Sequence, residues 1–312
     1  MTDVILAITV LWGFIFIYAV MATMDFGAGF WSMLYIKNEK TNATNIANRY
    51  LSPTWEVTNV FVVAVVVAIY SFFPSAAYTL GTVLLIPGSI ILLLLAVRSG
   101  FLVFSHIVDD YHKPLTYVSG ISGFIIPAFL ILVLPITHGG FVDNIDGVDT
   151  LMLGRLLTSP HALSFILFAV SSTLFLSSLL LADFSKVAND RHAYAIYRRD
   201  ALILGPVSLL GALLIMITMR YEATWLFNGM MDYIVWLFIS AGMFVVTGVA
   251  LVLPGKNGWT GLPRLGVVSA FIQYALASYA YGRAHLPYII YPNVTIQNGF
   301  TDPASFRALF IT

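Results

Sequence analysis

Eight stretches of the chain stay apolar for long enough to cross about 30 Å of hydrocarbon as helices. They fall near residues 4–35, 57–76, 78–105, 115–137, 161–183, 200–219, 229–254 and 264–282, and the connections are short except for 138–160 and 283–302. The first helix would measure about 50 Å if continuous, so it either protrudes from the membrane or bends near Gly27 and Gly29. It follows Met1-Thr2-Asp3 directly, without a basic leader, and is too long for a signal peptide, so it reads as a retained span. A ninth apolar stretch opens at Ala304-Ser305-Phe306 and stops at Thr312, which reads as a truncated helix. Pro74, Pro87, Pro127 and Pro206 sit in or at the ends of these runs. Neighbouring helices repair such breaks in lipid, and mild kinks are expected.

Composition turns that pattern into an exclusion. Hydrophobic residues make up 59% of the 312 and charged residues only 10%, against about 25% charged in soluble domains. Such a surface cannot be covered against water, so the chain is an all-α polytopic membrane protein. Lys plus Arg and Asp plus Glu are each 15, which leaves neither a basic face for nucleic acid nor an acidic tail. Cysteine is absent, excluding disulfides, thiolate chemistry and Cys-ligated iron–sulfur clusters.

Basic residues set the expected topology. With the N-terminus outside, the inner loops hold Lys37, Lys40, Arg49, Lys113, Lys186, Arg191, Arg198, Arg199, Lys256 and Arg264. The outer segments hold only Arg155, Arg220, Arg283 and Arg307. The bias predicts an N-terminus outside the cytoplasmic membrane.

Three ionisable residues fall inside the spans or at their first turn: Asp25, Glu56 and Arg98. Each costs at least a few kcal/mol in hydrocarbon, so each needs a reason. Counting along the helices puts all three in the inner half of the bilayer, with the second helix expected to start near Pro53. Ala22, Asp25, Gly29 and Ser32 follow 3-4-3 spacing and form a small-residue stripe suited to close helix packing. Ser52, Glu56 and Asn59, beside Trp55, make a polar edge on the second helix. One reading has Arg98 neutralise a carboxylate and lock three helices together. The favoured reading is a polar route for protons from inside, because two acids to one arginine leave an acid in excess. Glu56 would then stand at the inner mouth and Asp25 deeper.

The other polar groups read more plainly. None of His106, His112, His138, His161, His192 and His285 lies mid-span, and no two share a face of one span. No heme site or other metal site belonging to this chain alone is expected, and His106 and His161 should bond to the membrane interface at helix ends. Tyr279, Tyr281, Tyr288 and Tyr291 read as interface anchors, with contact to a partner or quinone as the alternative. Asp143, Asp146 and Asp149 lack the ligand pattern of a calcium loop and read as solvated.

Certain runs resemble a known family. Met24-Asp25-Phe26-Gly27-Ala28-Gly29-Phe30, the segment Asn48-Arg49-Tyr50-Leu51-Ser52-Pro53-Thr54-Trp55-Glu56-Val57-Thr58-Asn59, Phe72-Phe73-Pro74 and Arg98-Ser99-Gly100-Phe101 resemble subunit II of the cytochrome bd quinol oxidases, in its Bacillus-type branch. The resemblance implies two four-helix bundles plus a peripheral ninth helix, here divided as 1–137, an outer loop 138–160, 161–282, and 283–312. A weak internal echo, Ala182-Asp183-Phe184 against Met24-Asp25-Phe26, is compatible with such a duplication. The resemblance also implies a homologous subunit I as partner, holding two b-type hemes, heme d or a heme b substitute, and the quinol site. A small single-helix subunit and a structural quinone are further expectations, and quinol and dioxygen meet the complex through subunit I. In that family the acid after the tryptophan, here Glu56, belongs to a cytoplasmic proton pathway, with the first-helix acid, Asp25, near it. Many members have Trp-Asp-Gly-Asn where this chain has Trp55-Glu56-Val57-Thr58-Asn59, so the acid is kept in kind with a longer side chain.

Two other classes fit the residues. A proton-coupled secondary transporter would use Asp25 and Glu56 as coupling sites, though such sites belong at the midplane of a clear repeat. A structural scaffold would use the buried charges only to set helix register.

Overall fold

The computed structural model describes residues 2–37, 42–105, 112–145, 148–255 and 258–311. Lys40, His106, Asp146 and Lys256 lie outside these residues, as do the side chains of Ser52 and His112. In chain order the helices are α1 (Thr2–Tyr35), α2 (Ala43–Phe72), α3 (Pro74–Val83), α4 (Leu85–Ser105), α5 (His112–Leu130) and α6 (Val133–Thr137). After a hairpin of β1 (Val142–Ile145) and β2 (Val148–Leu151) come α7 (Leu153–Thr158), α8 (Pro160–Val187), α9 (Arg191–Glu222), α10 (Thr224–Asp232), α11 (Ile234–Val252) and α12 (Pro263–His285). A second small hairpin, β3 (Tyr288–Ile290) with β4 (Val294–Thr295), precedes α13 (Pro303–Ile311).

Among the described residues six helices are long and apolar enough to cross a membrane, and the bent pair α3–α4 makes a seventh. Helix α12 is long enough but more polar, carrying Ser269, Gln273, Tyr274 and Ser278 at the place of the eighth expected span. Long apolar helices need no flanking help here, because lipid leaves the backbone no partners but its own. Apolar side chains on their outer faces, such as Val60, Val63, Leu92 and Phe238, are correspondingly exposed.

Helices α1 and α8 form the centre. Helix α1 packs on α2 and α5, α8 on α9 and α12, and the two touch each other; α4 lies on α5 and α11 on α12. The α1–α8 contact is close because Gly27 faces Ser177, where an added Cβ would sit 2.0 Å from the hydroxyl. Trp31 donates to the same hydroxyl at 3.0 Å.

The structure corrects the reading of breaks and starts. Helix α1 runs without interruption through Gly27 and Gly29. Helix α2 begins at Ala43, so Glu56 lies well inside it and not in its first turn. The third span is broken by 83° at Leu84, far beyond a mild kink. Pro87 explains it: proline removes the donor for the carbonyl four residues back, Val83, and its ring crowds that carbonyl. The long connections are also structured, with His138, Phe141, Ile290, Val294 and Ile296 buried. Residue Phe306 of α13 is buried against Phe72 and Phe300, while Arg307 reaches Asp3 at the start of α1.

Candidate functional site

Asp25 and Arg98 meet, as the sequence pattern suggested. Arg98 is 2% exposed and donates to Asp25 Oδ1 at 3.1 Å, to the Asp25 carbonyl at 2.9 Å, and to Ser119 O and Oγ at 2.5 and 2.9 Å. Its guanidinium lies 5.3 Å from the centre of the Phe26 ring. One arginine thus ties α1, α4 and α5 together. The packing depends on missing side chains: a Cβ on Gly29 would stand 2.9 Å from the Arg98 guanidinium, and one on Gly123 only 2.3 Å from the Phe26 carbonyl. Ala22, Asp25, Gly29 and Ser32 are all buried, so the predicted stripe faces protein.

Glu56 does not join that cluster. Its side chain is exposed on the surface of the chain and, among the described residues, has no hydrogen bond or ion pair. Its depth nevertheless matches Asp25. Ser32 Oγ donates to Asn48 Oδ1 at 2.6 Å, which sets the register of antiparallel α1 and α2. Asp25 lies seven residues above Ser32 and Glu56 eight above Asn48, or about 10 and 12 Å at 1.5 Å per residue. Both acids therefore sit at nearly one level, Asp25 turned inward and Glu56 outward. Trp55 and Asn59 are half-buried on the neighbouring face, and Thr58 is buried.

A second polar cluster escaped the sequence reading. His138 Nδ1 lies 2.9 Å from His161 Nε2, and His138 Nε2 lies 2.6 Å from the Tyr281 hydroxyl. His161 Nδ1 is 3.1 Å from Thr218 Oγ1, while the His285 ring is 5.7 Å from that of His138. His285 Nε2 is 3.4 Å from Thr137 Oγ1 and its Nδ1 donates to the Tyr288 carbonyl at 2.8 Å. All three imidazoles are more than 90% buried. His161 is thus a core residue, not an interface one, and Tyr281 is a partner of His138, not an anchor. Tyr288 and Tyr291 pack around Trp225, and Tyr279 alone of the four tyrosines is exposed. No helical period brings these residues together, since they come from α12, the first turn of α8 and the end of α6.

The histidines also test whether a heme fits this chain. Every ring nitrogen of His138, His161 and His285 faces a protein partner, and His192 is exposed at the start of α9. None of these is available as an axial ligand aimed into the bundle, so the described residues do not fit the group. Among them no set of three His, Cys, Asp or Glu side chains is arranged to hold a metal ion.

Comparison with known proteins agrees with this arrangement. A Bacillus subtilis (strain 168) protein named as a cytochrome bd menaquinol oxidase subunit II is 64% identical over 313 residues, covering all of this chain and 90% of the relative. The solved structure of bd oxidase from Geobacillus thermodenitrificans superposes with a TM-score of 0.85 at 37% identity, over all of this chain and 93% of that one. The sequence model of the cytochrome bd terminal oxidase subunit II family matches residues 3–312, and the chain belongs to that family.

Proposed function

We propose that Glu56 and the Asp25–Arg98 pair mark the route by which this second subunit supplies protons to dioxygen reduction in its partner. The chain is an integral membrane subunit of a cytochrome bd quinol:oxygen oxidoreductase, whose complex contains heme and a subunit I. The finer assignments are part of the proposal: a cytoplasmic membrane location with the N-terminus outside, two b-type hemes and heme d or a heme b substitute in subunit I, and two four-helix units in this chain. The name of the Bacillus relative supports menaquinol as reductant. A small single-helix subunit and a structural quinone complete the expected assembly.

One observation carries the reading: Arg98 compensates Asp25, and Glu56 remains at the same depth without a counter-charge among the described residues. A carboxylate at the edge of the Trp55–Phe72 span is costly against acyl chains, so its exposed face is better placed against another subunit. That face continues along α2 through Val57, Val60, Val63 and Val67, an apolar surface suited to a protein partner in lipid. Glu56 would pass protons across this contact, and Asp25, held by Arg98, would fix the local field and the α1–α4–α5 packing. The heme, when bound in the partner, supplies the dioxygen chemistry; the residues of this chain hold and deliver protons.

Glu56→Gln keeps the size of the side chain and removes its acid. Quinol-driven oxygen consumption by the assembled complex should fall by at least about tenfold, a barrier increase of about 1.4 kcal/mol, with heme content and subunit ratio unchanged. Turnover equal to the parent would remove Glu56 from the route.

A further inference from the structure

We propose that His138, His161 and His285 form an acid-opened latch that fastens the segment after α6 and the segment after α12 to the ends of α8 and α9. The argument is a count of donors. A neutral cluster has one arrangement that satisfies every group along its chain: the Tyr281 hydroxyl donates to His138 Nε2, His138 Nδ1–H to His161 Nε2, His161 Nδ1–H to Thr218, and Thr218 to the Leu214 carbonyl at 3.0 Å. An extra proton has no seat on His138 or His161 in it. Placed on His161 Nε2 it faces the His138 Nδ1–H across 2.9 Å, donor against donor. Placed on His138 Nε2 it reverses Tyr281, whose hydrogen then has no acceptor among the described residues.

The surroundings relieve that charge only in part. The Glu222 carboxylate of α9 lies close enough to His161 to favour a positive charge there, but burial outweighs it. It accepts from Ser159 Oγ at 2.6 Å and from the His161 backbone N–H at 3.3 Å, capping α8, and among the described residues it makes no hydrogen bond to an imidazole. The other titratable groups facing the cluster are Tyr281 and His285 from α12 and Tyr288 and Tyr291 beyond it; α8 adds Phe165, α10 adds Trp225 and α1 adds Trp12, stacked on Tyr281. Burial, then the neighbouring His285 and His161, holds His138 well below the ordinary imidazole range. Its neutral form therefore stabilises the fold above about pH 6.5, the unfolded value, and that contribution is lost as pH falls towards the lowered folded value. Opening would free the 286–291 segment, whose Tyr291 N–H bonds to the Thr137 carbonyl at 2.9 Å and whose Tyr288 carbonyl accepts from His285.

The test is amide hydrogen exchange on the purified two-subunit complex, corrected for intrinsic exchange and followed in peptides covering 286–300 from about pH 7.5 to about pH 5. Protection there should drop by at least about tenfold on acidification while peptides from the middle of α8 keep theirs. Tyr281→Phe, which keeps the ring and frees His138 Nε2 to take a proton, should move the transition to higher pH. His161→Gln, which removes a titrating partner, should flatten it. Constant protection in the parent complex, or the same transition pH in both variants as in the parent, would overturn the latch.

Discussion

Arg98 offers the sharpest test of the energetic argument. Replacing it with Met keeps most of the side-chain volume but deletes every donor. Asp25, 4% exposed, would lose its ion pair, and the carbonyls of Asp25 and Ser119 would lose the donors at 2.9 and 2.5 Å. Truncating one member of a buried pair costs about 3–5 kcal/mol, because the surviving charge is left uncompensated. Exposed ion pairs are worth far less, about 0–1 kcal/mol, so burial decides which figure applies. Asp25→Asn is milder, since Arg98 keeps two oxygens of Ser119 and one backbone carbonyl. The double variant should be less damaged than Arg98→Met alone, giving a coupling of at least about 2 kcal/mol, within the range seen for contacting residues. The assay is the midpoint of detergent-induced unfolding of the complex, for the parent, both single variants and the double. Additive effects, or an Arg98→Met cost below about 1 kcal/mol, would refute the claim that this pair holds three helices together.

Two further outcomes follow from geometry. Gly27→Ala places a methyl within 2.3 Å of the Ser177 Cβ and 2.9 Å of the Thr173 carbonyl; the α1–α8 contact must open, at about 1–3 kcal/mol, whereas Gly13→Ala meets nothing within 4 Å and should leave the unfolding midpoint unchanged. Arg307→Ala removes the ion pair with Asp3, but Arg307 is solvent-exposed, and the melting temperature should match the parent within error at physiological salt.

What the sequence made legible depended on period and on cost. Asp25, Gly29 and Ser32 could be placed on one buried face because helical spacing fixes the face whatever packs against it. Arg98 could be expected near an acid because each is expensive in lipid and few partners exist, but the choice of Asp25 over Glu56 came only with the fold. The turn at Leu84 was legible only in part: Pro87 marked it, but the 83° depends on what packs around it. The histidine cluster was not legible at all. His138, His161 and His285 are separated by 23 and 124 residues, and no local pattern states that a long connection folds back over α8 and α12. Glu56 shows a third case. Counting placed it at the mouth with Asp25 deeper; its true level beside Asp25, like its outward orientation, needed the start of α2 at Ala43 and the α1–α2 register fixed by Ser32 and Asn48.

The echo between Met24-Asp25-Phe26 and Ala182-Asp183-Phe184 shows how little a motif settles by itself. Both aspartates pair with an arginine: Asp25 with Arg98 of α4, and Asp183 with Arg264 of α12 at 2.7 Å. The side chain of Arg98 is 2% exposed and that of Arg264 71%. Asp25 stands ten residues before the end of α1 and Asp183 four before the end of α8, so the difference is one of depth. At the end of α8 water and salt can stabilise either charge alone, and losing Arg264 strands nothing. Inside α1 no solvent is available to Asp25, and the same three-residue word obliges a second helix to deliver a cation. Helix α4 meets that demand from beyond its own break at Leu84, so the α1–α4–α5 packing is fixed by charge as well as by shape. Glu56 is level with Asp25 and lacks such a cation among the described residues, so the proposed contact of α2 with the partner subunit is where the same demand would have to be met.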